Sequence, residues 1–236
     1  MQHHLTAAAL PASQASQVLG RSLHGALRRT ASAAGLAVGM LGLMGLVGLQ
    51  ASAQAQSAET VGVRYTPAIK VEGTPLTLNG TGVSYRAVAK LYTVGLYVPQ
   101  KSSKADVIFS TNGPKELRFV MLQGMRVDEI GKVITKGIEA NSSREEFFRL
   151  IPAIRTMGEQ FSRIRRMNAN DVLSVEYVPK RGTIFYVNSA PVGLPIADPT
   201  FFPAVLRVWL GAHPATQDLK DALLDFRAAP VLDALL

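Results

Sequence analysis

The sequence predicts an α+β fold, and three observations carry that prediction. A long β-prone run follows Gly82, rich in Val, Tyr, Thr and Leu, with no proline before Pro99. The middle of the chain holds two stretches whose apolar residues recur every three or four positions, the period of a helix. The chain then returns to a hairpin pattern and closes on two further helical segments. The order is strands, then helices, then a hairpin, then helices.

The amino terminus reads as an export signal. Residues 1 to 55 contain Arg21, Arg28 and Arg29 and no Asp or Glu. An apolar run follows from about Ala33 to Leu49, and small residues then alternate at Ala51, Ala53 and Ala55. A positive flank, an apolar core and an A-x-A site are the parts of a secretory signal. The other reading is a membrane anchor, but the run is short for a span and carries glycine at 35, 39, 42, 45 and 48. Arg28-Arg29 is a weak twin-arginine match because no Phe-Leu pair follows. The expectation is a leader over 1–55, one domain over 56–228 and a tail over 229–236. Cleavage after Ala53 or Ala55 would leave a periplasmic protein with no stable membrane span. The 25 basic residues fall to 22 without the leader's three, against 17 acidic ones, a net charge of +5. The chain has no cysteine, so packing alone stabilises the exported fold.

Taken in order, the domain begins with β-prone pieces at Val61 to Tyr65, Ile69 to Val71 and Leu76 to Leu78, punctuated by Pro67, Gly73 and Pro75. Asn79-Gly80 is expected to end one strand and open another, with Gly80 and Gly82 supplying positive φ. If the run after Gly82 is one continuous strand, Ser84, Arg86, Val88, Lys90, Tyr92 and Val94 share a face. Neither face is fully polar, which predicts cover on both sides. Asp106 to Ser110 and Glu116 to Leu122 read as further strands around Asn112-Gly113-Pro114.

Ile130, Val133, Ile134, Gly137 and Ile138 follow the helical spacing, with Asp128 as N-cap. Ser143 and Glu146 form a capping box for a second helix, and Pro152 is expected to kink or interrupt it. Val172 to Val178 and Thr183 to Asn188 flank Pro179-Lys180-Arg181-Gly182 as a hairpin. Thr200 caps a helix through Leu210 that stops at Gly211 and buries Trp209, and a last helix runs from about Thr216 to Leu224.

Several chemistries are excluded or weak. One histidine outside the leader, His213 in a Gly-Ala-His-Pro turn, and no cysteine make a metal site implausible. There is no G-x-S-x-G elbow, no G-x-x-x-x-G-K-[ST] loop and no G-x-G-x-x-G fingerprint. No cofactor is expected. Arg163, Arg165 and Arg166 read as a solvated helix end that complements the dipole rather than a site for anionic lipid or nucleic acid.

The stretch Leu76-Thr77-Leu78-Asn79-Gly80-Thr81-Gly82-Val83, followed by Lys90-Leu91-Tyr92 and Leu96-Tyr97, resembles the signature of the chalcone isomerase-like proteins, in their bacterial exported branch. Asn170-Asp171-Val172-Leu173, Tyr177, Arg181-Gly182-Thr183, Asn188, Trp209-Leu210-Gly211 and Pro214 continue it in order. The resemblance implies an open-faced β-sandwich, a large antiparallel sheet packed by a layer of helices, with a hydrophobic cleft between them. In the plant enzymes of this family an arginine holds a phenolate while a threonine and a tyrosine polarise a ketone through water. An asparagine and a second threonine position the other ring.

On this chain those positions fall at Ser84 for the arginine, Tyr92 for the first threonine, Val127 for the tyrosine and Ile134 for the asparagine. Thr216 alone matches the family residue, and it also fits a helix N-cap. Arg86 lies two residues beyond Ser84, so a guanidinium could reach the cleft from the same strand face.

The candidate ligand-binding set is therefore Ser84, Arg86, Tyr92, Val127, Ile134 and Thr216. Two function classes follow from the resemblance. One is a non-catalytic binder of a hydrophobic carboxylate such as a fatty acid, since relatives of this fold bind fatty acids. The other is an isomerase, an intramolecular lyase acting on an enone. A structural partner in an envelope complex is a third class.

Overall fold

The structure, a computed structural model, describes residues 58–224. The expected leader over 1–55 and tail over 229–236 lie outside the described residues. In chain order the elements are β1 (Ala58–Thr60), β2 (Val63–Tyr65), β3 (Ala68–Val71), β4 (Thr74–Arg86), β5 (Ala89–Val98), α1 (Ala105–Ser110), β6 (Lys115–Met121) and β7 (Met125–Arg126). There follow α2 (Val127–Ala140), α3 (Arg144–Phe161), β8 (Arg166–Met167), β9 (Val172–Val178), β10 (Gly182–Val187), β11 (Ala190–Pro191), α4 (Phe201–Leu210) and α5 (Gln217–Leu223). A seven-stranded sheet in the order β11-β10-β9-β6-β5-β4-β3 is antiparallel at every step. This is the α+β open-faced sandwich that the resemblance implies.

Alternation along the central strands splits the sheet into two faces. Val94 and Leu96 of β5, Leu117 and Phe119 of β6 and Val175 of β9 turn to the main core, where Ile134 and Ile138 of α2, Met157 of α3 and Phe201 of α4 meet them. Tyr97, Val178 and Ile184 turn to a smaller cluster with Tyr65, Leu76 and Leu78. Both faces are thus covered around β4 and β5, as their composition predicts.

Several local expectations are corrected. The run after Gly82 is two strands: β4 and β5 are joined by a two-residue turn at Ala87-Val88, with Ala87 at φ 52°. One strand over 83–98 would be roughly 50 Å long, more than a single domain of this size can cover. The turn carries neither Gly nor Asn, so nothing in the sequence marked it. Conversely, Asn79-Gly80 is not a turn. β4 runs through it, with the register shifted between Leu78 and Gly80, and neither Gly80 nor Gly82 takes positive φ. Both glycines permit close approach instead. A Cβ on Gly80 would lie 2.3 Å from the Ala222 carbonyl oxygen, and one on Gly82 2.4 Å from the Leu219 side chain, both on α5.

Residues 106–110 form a helix, not a strand. Ala105, Ile108 and Phe109 lie at i, i+3 and i+4 and pack on the main core, so tertiary contact overrides β-propensity. The expected strand over 61–65 loses its first two residues to the turn between β1 and β2, at Val61-Gly62, where both have positive φ. Asp128 is not the N-cap of α2; Arg126 holds that position without a side-chain cap. Asp128 sits in the first turn, favourable for the helix dipole, and accepts from Arg126 at 2.8 Å and Lys132 at 3.3 Å.

Ser143 does cap α3, accepting from the Glu146 backbone N–H at 3.1 Å, but the Glu146 carboxylate pairs with Arg207 of α4. Pro152 neither ends nor interrupts α3; it lies on the exposed face, where solvent can serve the carbonyl it leaves without a donor. Thr200 is the N-cap residue of α4, yet its hydroxyl donates to Asp198 at 2.6 Å instead of capping.

Candidate ligand-binding site

A cavity of about 420 Å³ lies between the helix-facing side of the sheet and helices α2 and α4. Its position follows from the hairpin and the helix stripe. Ser84 of β4 and Tyr92 of β5 are direct cross-strand partners, so they project from the same face. Phe119 on β6 comes next in the sheet, meeting Tyr92 edge-on at 5.4 Å and Trp209 of α4 at 4.9 Å. On α2, Ile130, Val133, Ile134 and Gly137 form the facing wall. A Cβ at Gly137 would lie 2.5 Å from Val208, so this glycine lets α2 and α4 close over the cavity.

The polar groups within this apolar lining are few. Ser84 is 8% exposed and Tyr92 7%, and neither hydroxyl bonds to a described residue. Unpartnered hydroxyls on nine-tenths buried residues in an otherwise apolar wall suit a ligand oxygen. The Trp209 indole nitrogen is also buried without a partner.

Arg86 lies at the mouth rather than in the interior. It donates to Glu129 of α2 at 3.2 Å, and its side chain is 64% exposed. Lys136 and His213 rim the same opening, both exposed.

The structure therefore brings Ser84, Arg86, Tyr92, Ile134 and Thr216 to one cavity and leaves Val127 out of it. Val127 is the first residue of α2 and turns into the main core at 2% exposure. Ile134 is a fully buried wall residue. Thr216 stands at the rim as the N-cap of α5, its hydroxyl accepting from the Leu219 N–H at 3.2 Å.

Sequence reasoning missed Phe119, Lys136 and Trp209 as lining residues, and expected His213 only as a solvated loop residue. For Lys136 a signal was present: it lies three residues beyond Val133 on the α2 stripe.

The outer face of the sheet carries a second polar group of residues. Glu116 is fully buried and accepts from Arg118 at 2.8 Å and from the Ser174 hydroxyl at 2.7 Å. Glu176 stands directly across from it in the register. Burial, and then the Glu116 charge, push the Glu176 carboxyl up to about 7. Among the described residues no group of three or more His, Cys, Asp or Glu could hold a metal ion. No helix among them is long and apolar enough to cross a membrane.

Comparison with known proteins places this arrangement. Among curated protein sequences, none matches the chain. In structure it is similar to the crystal structure of a fatty-acid binding protein of Arabidopsis thaliana, with a TM-score of 0.58 over 72% of this chain and 96% of that one, at 12% identity. At that identity the likeness establishes the fold. A family model described as chalcone isomerase-like matches residues 57–225. The chain belongs to the chalcone isomerase-like family.

Proposed function

We propose that this protein is a non-catalytic binder of a hydrophobic carboxylate, a fatty acid or similar lipid, held in the cavity between sheet and helices. The observation that carries the reading is the lining itself: apolar walls with two unpartnered hydroxyls, borne by the nine-tenths buried residues Ser84 and Tyr92, and cations at the mouth. About 420 Å³ falls within the usual range of small-molecule sites. The acyl chain lies against Phe119, Ile130 and Ile134. Tyr92 and Ser84 serve a ligand oxygen, at about 1 kcal/mol per neutral hydrogen bond. Arg86 and Lys136 draw the carboxylate toward the rim. Arg86 already has Glu129 and water, so its contribution is nearer 0.5 kcal/mol than that of a dry ion pair. A structural neighbour whose name is a fatty-acid binding protein supports the same class of ligand.

The alternative is an isomerase acting on a chalcone-like or other enone. The free Tyr92 hydroxyl favours it as a potential proton donor. Against it, Ser84 supplies no charge where the plant enzymes carry arginine, and Val127 and Ile134 supply no donor to a developing enolate.

Calorimetry with a long-chain acid and the matching alcohol tests the binder reading. Wild type binds both. Tyr92→Phe weakens both by about fivefold, without loss of stability because that hydroxyl holds no described residue. Arg86→Ala weakens the acid more than the alcohol. Failure of wild type to bind either removes the reading, and robust stereospecific cyclisation of a chalcone would favour the alternative.

We also propose that the protein acts in the periplasm after loss of its leader, on the strength of the signal pattern over 1–55.

A further inference from the structure

The β4–β5 turn holds Val88 at 95% exposure beside the mouth of the cavity. Tyr85, 49% exposed, and Val133, 38% exposed, line that mouth from the hairpin and from α2. Interleaved with them are Arg86, Lys90 and Lys136, all exposed. Lys90 and Lys136 make no ion pair with a described residue. Glu129 of α2, the partner of Arg86, is already bound by it. That pair ties the hairpin to α2, where residues 129, 133 and 136 lie on one stripe, so tip and stripe act as one surface.

We propose that the mouth of the cavity docks on an anionic lipid surface, with Val88 as the inserted tip and Lys90 and Lys136 against the headgroups. The proposal rests on the lipid-binding reading of the cavity. Charge complementarity names the occupant: exposed apolar side chains set among unpaired cations match the boundary between acyl chains and acidic headgroups. A protein partner needs roughly 800 Å² of contiguous, complementary surface, and single side chains separated by lysines do not provide it. Docking at the mouth also spares the ligand a passage through water, which the hydrophobic effect opposes at every methylene.

Vesicle flotation tests this, with phosphatidylcholine alone and with phosphatidylcholine containing phosphatidylglycerol. Wild type should float with the anionic vesicles, not with the neutral ones, and raised salt should release it. Val88→Asp should weaken flotation about tenfold, and Lys90→Glu about fivefold or more. Uptake of cis-parinaric acid from solution should be unchanged in Val88→Asp, while its transfer from anionic vesicles slows. The proposal is overturned if wild type does not float, or if neither variant changes flotation. It is also overturned if sedimentation without vesicles shows a dimer that Val88→Asp dissolves, because the tip then belongs to a second copy. Flotation without uptake of cis-parinaric acid would uphold the docking surface and remove the cavity reading.

Discussion

Asn79 shows how one side chain can hold two parts of the fold together. It is 1% exposed, and its amide nitrogen donates to the carbonyls of Ser102 at 3.0 Å and Leu223 at 2.8 Å. Its carbonyl oxygen accepts from the Ser102 N–H at 2.8 Å. The bulge in β4 turns this residue out of the ladder, and the bonds fix the end of α5 and the loop before α1. Asn79→Ala leaves buried backbone groups without partners and should cost about 2 to 3 kcal/mol in urea melts. A loss below about 0.5 kcal/mol would show that α5 is held by apolar contact alone.

On the outer face, Glu176 makes stability depend on pH. Glu116, Glu72, Arg118 and Arg181 act on it electrostatically, and Tyr186 lies beside it. Its carboxyl titrates near 7 when folded, against 4.5 in the reference state. Between those values the folded chain holds more protons, so stability falls as pH rises through the window and levels off above it. Glu176→Gln should flatten that slope and raise the melting temperature at pH near 8. Asp171 works in the opposite sense at more acid pH. The Asn168 N–H and the Asn188 amide hold its carboxyl low, so its contribution is present above the reference value and is lost as pH falls through the folded value. Equal slopes for wild type and Glu176→Gln across the window would remove Glu176 as the cause.

At the scale of elements, α4 is the part most completely buried. Phe201, Phe202, Val205, Leu206, Val208, Trp209 and Leu210 are all 2% exposed or less, so the helix is covered nearly all round and its pattern reads less as a stripe than as a core segment. Trp209 touches Phe119 and lines the cavity. Trp209→Ala should cost about 3 to 5 kcal/mol, the range for deleting a buried large aromatic. It should also enlarge the cavity. A loss below about 1 kcal/mol in denaturant melts would contradict its burial.

At the scale of the whole molecule, the family match over residues 57–225 begins just past the proposed cleavage sites. If the leader is removed there, amino-terminal sequencing of the envelope form should read from residue 54 or 56. Recovery of an intact leader in the membrane fraction would contradict a cleaved periplasmic form.

The sequence by itself determined the α+β class, the family, the capping of α3 by Ser143, the cap of α5 by Thr216, the hairpin at 179–182 and the burial of Trp209. The family rests on the resemblance of motifs in their order along the chain; the others rest on local rules, since periodicity, capping residues and turn residues act within a few positions. What only the tertiary structure decided depends on contacts between distant segments. Asn79-Gly80 carried a turn signal, yet α5 packs on those glycines from more than a hundred residues away and keeps the strand running. Ala87-Val88 carried no turn signal, yet the need to pair β4 with β5 turns the chain there.

Ser84 and Tyr92 do share a face, but through cross-strand pairing rather than the even spacing of a single strand. Arg86 was legible as a cation near the cleft. That it stands at the rim, held by Glu129, depends on where α2 packs, and no spacing within β4 encodes that. The same is true of the cavity. Its walls come from strands and helices far apart in sequence, and its volume is what remains once they have packed.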